Sequence, residues 1–258
     1  MSAVSGSAGA LVRCVVDGGV ATITLDSPAN RNALSTALVR DLHDALDQAE
    51  AAGARVIVLG HTGNTFCAGA DLKERAAGRV DSTPMALAMR RLMESRAPTI
   101  AAVQGVARAG GIGLMASCDL VVVPEDADFA FTEVRIGAAP AIISVPILRR
   151  CSASHLAAPF LTGETFDAAR AREIGLVTHV AASSTAVATE VRRLCVAILA
   201  AAPNAVAETK GLLHSVPGEP LDTAFPRMQR LSDALFEGPE AAEGMRAFSE
   251  KRPPAWPR

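Results

Sequence analysis

The chain has 258 residues, half of them apolar, with 25 basic against 27 acidic side chains and a formal charge of -2. That is enough material for one full-sized core, and the balance excludes a general electrostatic attraction for nucleic acid or an anionic membrane. The longest apolar run, Leu194 to Ala202, is far too short to cross a bilayer.

The opening MSAVSGSAGA lacks a basic n-region and an apolar h-region, so residues 1–10 are expected to be a floppy end and the protein cytoplasmic. Cys14, Cys67, Cys118, Cys151 and Cys195 form no CxxC pair, and the histidines show no HExxH spacing. Reduced, buried thiols and no metal are expected.

Leu11 to Val16 and Val20 to Leu25 flank Asp17-Gly18-Gly19 and predict a β-hairpin. Leu34, Leu38, Leu42, Ala45, Leu46 and Ala49 then recur at helical spacing behind Ser35 as N-cap, and Gly53 stops the pattern. Arg55 to Leu59 reads as a short buried strand. Met85, Ala88, Met89, Leu92 and Met93 make a second helical stripe behind Thr83-Pro84, read as N-cap and first helical residue; the methionines are assigned to core packing rather than to a ligand surface.

Thr99 to Val103, Leu120 to Val123 and Phe129 to Phe131 are further strands, separated by a glycine-rich segment with helical potential and by PEDAD. Strands alternating with helices predict an α/β fold. From about Cys151 the pattern turns helical apart from a strand at Val177 to Val180. Beyond Thr185 it is all helical: Val187, Val191, Leu194, Ile198 and Leu199 share one face, and Pro226 is expected to kink or delay a helix over Leu221 to Phe236. The expected organisation is a disordered 1–10, a core over 11–195 and a helical region over 196–258 that docks onto the body or a neighbouring subunit.

Three segments carry chemistry: HTGNTFCAGADLKE (61–74), VQGVARAGGIGLMASCDL (103–120) and FAFTEVRIGAAPAIIS (129–144). With PANRNAL (28–34) before them and EGMRAFSEKR (243–252) after, the chain resembles the enoyl-CoA hydratase/isomerase, or crotonase, superfamily over nearly its whole length. The resemblance implies a spiral of ββα units forming two sheets, then a helical C-terminal region that builds a homotrimer or a dimer of trimers. It implies an acyl-CoA thioester as substrate, with coenzyme A as part of that substrate and no separate cofactor.

Reactions beside a thioester carbonyl pass through an enolate. Two fixed backbone N–H groups aimed at the oxygen stabilise it, and losing one such donor costs about 2.7–4 kcal/mol. Small residues are needed at both places, because a side chain would hold the thioester away. Ala68-Gly69-Ala70 and Ala109-Gly110-Gly111 offer such turns, and the second is expected to open a helix at Gly110. The resemblance assigns the N–H groups of Ala68 and Gly110 as the donors.

Glu133 stands in an apolar run, where desolvation should raise its pKa toward the range of a general acid or base. The resemblance makes it the second of two catalytic glutamates, and where the first would stand the chain has Gly113. One carboxylate is too few for rapid water addition but suffices to carry a proton between carbons, so an isomerase or a weak, specialised hydratase is expected. The second acid of the dienoyl isomerases is also missing, its place being Ala141. EVRIGAAPAIIS looks instead like the branched, methylglutaconyl-type hydratases. Arg135 is read there as an outward salt bridge in preference to a partner for an extra substrate carboxylate.

For CoA the resemblance points to Arg31, Ala33 and Leu34, to Ala70, Asp71 and Leu72, and to Gly111, with Phe248 and Lys251 arriving from a neighbouring chain. Arg31 and Lys73 are candidate phosphate partners, and Trp256 behind Pro253-Pro254 a tail anchor. Gly111 to Ala116 also fits the dinucleotide pattern GxGxxA, but six residues separate it from its strand and no βαβ partner follows. No GxSxG supports a serine hydrolase. A catalytically weakened acyl-CoA-binding protein of the same fold, or a CoA thioester hydrolase, are the alternatives.

Overall fold

The computed structural model describes residues 4–5, 9–78 and 80–256. β1 (Val4–Ser5) pairs antiparallel with β2 (Val12–Asp17), Val4 opposite Val15 and Ser5 opposite Cys14. These two residues depart from the floppy end expected of 1–10, and residues 1–3 and 6–8 lie outside those described. β3 (Val20–Leu25) completes the expected hairpin across Gly18 and Gly19, whose φ values of 54° and 82° suit a turn matched to strand twist. α1 (Thr36–Ala51) begins as its sequence dictates, with the Ser35 hydroxyl accepting from the Leu38 N–H at 3.2 Å.

The chain then repeats one plan three times: strand, strand, helix. β4 (Val56–His61), β5 (Thr65–Cys67) and α2 (Leu72–Ala77), extended by α3 (Thr83–Glu94), make the first turn. β6 (Thr99–Ala102), β7 (Val106–Arg108) and α4 (Gly110–Ala116) make the second. β8 (Leu120–Pro124), β9 (Asp128–Ala130), a 3-10 turn at Thr132–Ile136 and α5 (Ala141–Leu148) make the third. α6 (Ala153–Thr162), β10 (Thr165–Asp167), α7 (Ala168–Glu173) and β11 (His179–Ala181) follow. Four helices close the chain: α8 (Ser184–Ala200), α9 (Pro203–Ser215), α10 (Leu221–Phe236) and α11 (Pro239–Ser249).

The first strand of each turn joins a seven-stranded sheet ordered β1-β2-β3-β4-β6-β8-β11, and the second joins a four-stranded sheet ordered β10-β9-β7-β5. This is the spiral of ββα units with two sheets that the resemblance implied. Ile57, Leu59, Ala101, Val121 and Val123 face the main core, shared with the smaller sheet and α1, α3 and α4. Val56, Val58, Ile100 and Val122 face the other way, against Val187, Val191, Leu194 and Cys195 of α8. Both faces of these parallel strands are therefore covered, which explains their almost unbroken apolar sequences.

Several local expectations shift. α8 runs through the expected boundary at 195, because its buried stripe packs on the large sheet as far as Cys195. α3 has Ser82, not Thr83, as its N-cap residue, since the Asp81 carboxylate accepts from the Thr83 N–H at 2.9 Å. Pro226 does not delay α10, which starts five residues earlier at Leu221. β5, β7 and β10 have three residues each, too few for a periodic pattern to reveal. Trp256 anchors the tail as expected, its Nε1–H donating to the Ala200 carbonyl at 2.8 Å. Among the described residues, no helix is long and apolar enough to cross a membrane.

α9 is pinned to the body by one buried cation. Lys210, 5% exposed, donates to the carbonyls of Leu92 (2.9 Å) and Ala97 (3.1 Å) and sits 2.9 Å from Asp119. Burial opposes ionisation of Asp119, yet the His214 hydrogen bond and the Lys210 charge hold its pKa below the usual carboxylate range. A depressed carboxyl pKa stabilises the fold above about pH 3.9, and that contribution is lost as pH falls through the lower, folded-state value. Lys210→Met leaves Asp119 buried without its cation, and is expected to cost about 3–5 kcal/mol at neutral pH, a difference that shrinks as acid protonates Asp119. Thermal melts of both proteins from pH 3 to 7 check this.

Candidate active site

The two glycine-containing turns meet. Gly69, at φ 89°, is so close to the second turn that an added Cβ would stand 2.9 Å from Ala109 Cβ and 3.4 Å from Gly110 N. A Cβ on Gly110 would reach 3.6 Å from Gly69 Cα and 3.8 Å from Ala70 N. Gly110 begins α4, so its N–H has no intrahelical acceptor. Ala109 just before it holds φ 48° and ψ -121°, a conformation that an L residue adopts only under strain. Ala109→Gly is expected to relieve that strain and raise stability by about 1 kcal/mol; an unchanged or lower melting midpoint would show that the lost methyl packing matters more.

One of the two expected donors is already engaged. The N–H of Ala68 is already given to the Arg31 carbonyl at 3.0 Å, so it cannot also serve a substrate oxygen. That carbonyl is presented by a loop in which Arg31 and Asn32 both have positive φ, 58° and 52°. Asn32, fully buried, locks the loop: its Nδ2 donates to the carbonyls of Thr62 (3.1 Å) and Thr65 (2.8 Å), and its Oδ1 accepts from the Ser27 N–H (2.8 Å). Two residues further on, Leu34 N–H pairs with the Gly69 carbonyl at 2.8 Å, which leaves the Ala70 N–H outside the pairing. Among the described residues neither the Ala70 nor the Gly110 N–H meets an acceptor. The neighbouring pair of spare donors is thus Ala70 with Gly110.

Both turns open on a cavity of ≈ 390 Å³ that Glu133 also lines. Glu133 stands in the 3-10 turn at Thr132–Ile136, just after β9. Its Oε2 is buried without a hydrogen-bond partner. Burial pushes its pKa up, as the apolar sequence implied, and a bond from its own backbone N–H only partly opposes this. Larger cavities of ≈ 710 Å³ lie elsewhere, but neither brings a buried, unpartnered carboxylate beside spare backbone donors.

Of the other expected site residues, Leu34, Ala68, Ala70 and Leu72 line this cavity. Arg31, Ala33, Asp71, Gly111, Phe248 and Lys251 do not. Gly111 instead packs α4 on β5, where an added Cβ would lie 2.5 Å from the Cys67 carbonyl oxygen. Asp71 caps α2, accepting from the N–H groups of Lys73 (2.9 Å) and Glu74 (3.1 Å). Phe248 is 87% exposed on α11. Lys73 stays outside the cavity, whereas Arg75, two residues on, lines it and bonds the Ser82 hydroxyl (3.1 Å). Arg135 does not make the outward salt bridge expected of it: its Nε donates to the Thr162 carbonyl at 3.1 Å, and among the described residues it has no carboxylate partner. Met85 and Met89, assigned to the core, also form cavity wall, together with Ile143.

Residues 16–258 match the family model described as enoyl-CoA hydratase/isomerase. A relative from Thermus thermophilus is 39% identical over 250 residues, 93% of this chain and 98% of the relative. The mevalonyl-coenzyme A hydratase sidH of Aspergillus fumigatus is 34% identical over 246 residues, 91% of this chain and 90% of its own. Among solved structures, an enoyl-CoA hydratase of Mycobacterium smegmatis superposes with a TM-score of 0.89 at 33% identity, covering 95% of this chain and 98% of that one.

Proposed function

The chain belongs to the enoyl-CoA hydratase/isomerase family, and from that premise we propose that it forms an acyl-CoA enolate between the Ala70 and Gly110 N–H groups and moves the proton with Glu133. The observation that carries this reading is the unpartnered Glu133 Oε2 in the same cavity as the two donors. Leu34 and Leu72 supply apolar wall for the thioester arm, and Arg75 a cation at the rim for a phosphate.

With Gly113 where a second acid would stand, the reaction favoured is a double-bond shift. Glu133 removes the α-proton of a 3-enoyl thioester, and the electron pair spreads onto the carbonyl oxygen. The same carboxyl then returns that proton to the γ-carbon, leaving a 2-enoyl thioester with no atom gained or lost. The hydratase names of the relatives favour water addition instead, with the mevalonyl-CoA enzyme pointing to a branched acyl group. A third reading, a binder with little turnover, rests on the same missing carboxylate.

Absorbance separates the three. Growth of the conjugated-enone band from a 3-enoyl-CoA is the expected result; decay of that band from crotonyl-CoA would mark a hydratase, and tight binding with neither change a binder. For assembly, we infer that Leu221 and Phe225 of α10 and Phe248 of α11, each at least 70% exposed, pack against neighbouring copies in a trimer.

A further inference from the structure

We propose that Ile143 decides which reaction this cavity performs, by filling the volume a second acid or base would need and keeping water from the acyl chain on that side. The inference rests on the enolate reading above and adds a residue to it. Gly113 is buried inside α4 and does not itself line the cavity. Ile143 of α5 and Met89 of α3 close over it, and both of those do line the cavity. A Cβ on Gly113 would stand 2.4 Å from Ile143 Cγ2, 2.6 Å from Ile143 Cβ and 2.7 Å from Met89 Cε. Two of those distances involve the branched stem of a 4% exposed side chain, not the end of a flexible one.

Position 113 has therefore lost more than its side chain, since any group placed there has no route to the substrate. The wall it would have crossed is hydrocarbon from two other helices. Adding water across an enoyl double bond requires oxygen to bond the β-carbon, a base to take the water proton and an acid to protonate the α-carbon. An isoleucine and a methionine supply neither group, and nothing stronger than a weak thioether acceptor to hold the water. Moving a proton from the α- to the γ-carbon needs no water and only one carboxyl, that of Glu133. The stem of residue 143 blocks the space into which a side chain at 113 would project, its Cβ standing 2.6 Å from the Cβ built at 113, so position 143 is the place from which a second carboxylate can enter.

The test is product partition from 3-hexenoyl-CoA, read by mass as the ratio of 3-hydroxyacyl to 2-enoyl thioester. Wild type is expected to give almost only the enoyl product. Ile143→Glu is expected to raise the ratio at least tenfold. Ile143→Ala, which only opens room for water, should raise it less and serves if the glutamate variant does not fold. Gly113→Glu should leave the ratio unchanged and lower the melting midpoint, because the new side chain collides with Ile143. Wild type that mainly hydrates, a Gly113→Glu protein that gains hydration, or folded Ile143 variants with an unaltered ratio would each overturn the proposal. Failure of the enolate reading looks different: no isomerisation by wild type, or isomerisation that survives Glu133→Gln.

Discussion

Glu133→Gln is expected to lower turnover by about 10²–10⁴-fold, the usual contribution of a positioned general acid or base, while affinity for a non-reacting acyl-CoA changes little. Gln keeps the size and much of the polarity of the side chain, so binding through the backbone donors and apolar walls persists. The variant should also be more stable at neutral pH. Burial raises the Glu133 pKa, so the folded state holds its proton more tightly than the unfolded chain does. Stability therefore falls as pH rises from the unfolded value, about 4.3, through the folded one, and above that window the ionised carboxylate is a standing cost. Gln removes it, and below the window the difference between the two proteins should vanish. The same shift places the acid limb of the wild-type activity profile above the ordinary carboxylate range. Loss of activity without this pH-dependent gain in stability would mean that Glu133 is not strained by its burial.

Gly110→Ala is the second large effect. The new methyl would lie 3.8 Å from Ala70 N and 2.9 Å from Leu34 Cδ1. Leu34 can turn aside, so the fold should survive. Crowding that keeps the thioester oxygen off even one of the two donors costs about 10²–10³-fold in turnover. Reduced turnover with an intact melting transition is the expected pair of results. A Gly110→Ala enzyme as fast as wild type would remove Gly110 from the oxyanion site. Ala68→Gly, in contrast, leaves the Arg31 carbonyl bond in place, which is why the corrected donor pair matters to any mutational design.

What the sequence disclosed followed from how local each determinant is. The hairpin at Gly18-Gly19 and the Ser35 cap depend on neighbours in the chain, and both form as read. Glu133 stood out because a carboxylate amid Phe129 to Val134 violates the apolar pattern, and such violations mark functional sites. The choice between Ala68 and Ala70 was illegible, because both are alanines in one turn. What distinguishes them is the Arg31 carbonyl, which takes the Ala68 N–H from 37 residues further along the chain and leaves that of Ala70 spare. Asn32 could have been suspected from its place beside Arg31 in PANRNAL, but nothing local shows that its amide reaches Thr62 and Thr65. The closure of Ile143 over Gly113 is further still from local pattern, since it depends on how α5 packs across α4. Helix α8 could not be divided from the core by composition, because its apolar stripe is the cover of the large sheet.

The most direct measurement is hydrogen exchange at the α-carbon of butanoyl-CoA in heavy water, followed by NMR. A saturated thioester has no double bond to hydrate or shift, so exchange reports only removal and return of the α-proton. Wild type should exchange it with a rate that rises as Glu133 ionises, and Glu133→Gln and Gly110→Ala should each suppress it at least a hundredfold. Exchange at equal rates in all three proteins, or none in wild type with the thioester demonstrably bound, would contradict an enolate held by these amides and served by this carboxylate.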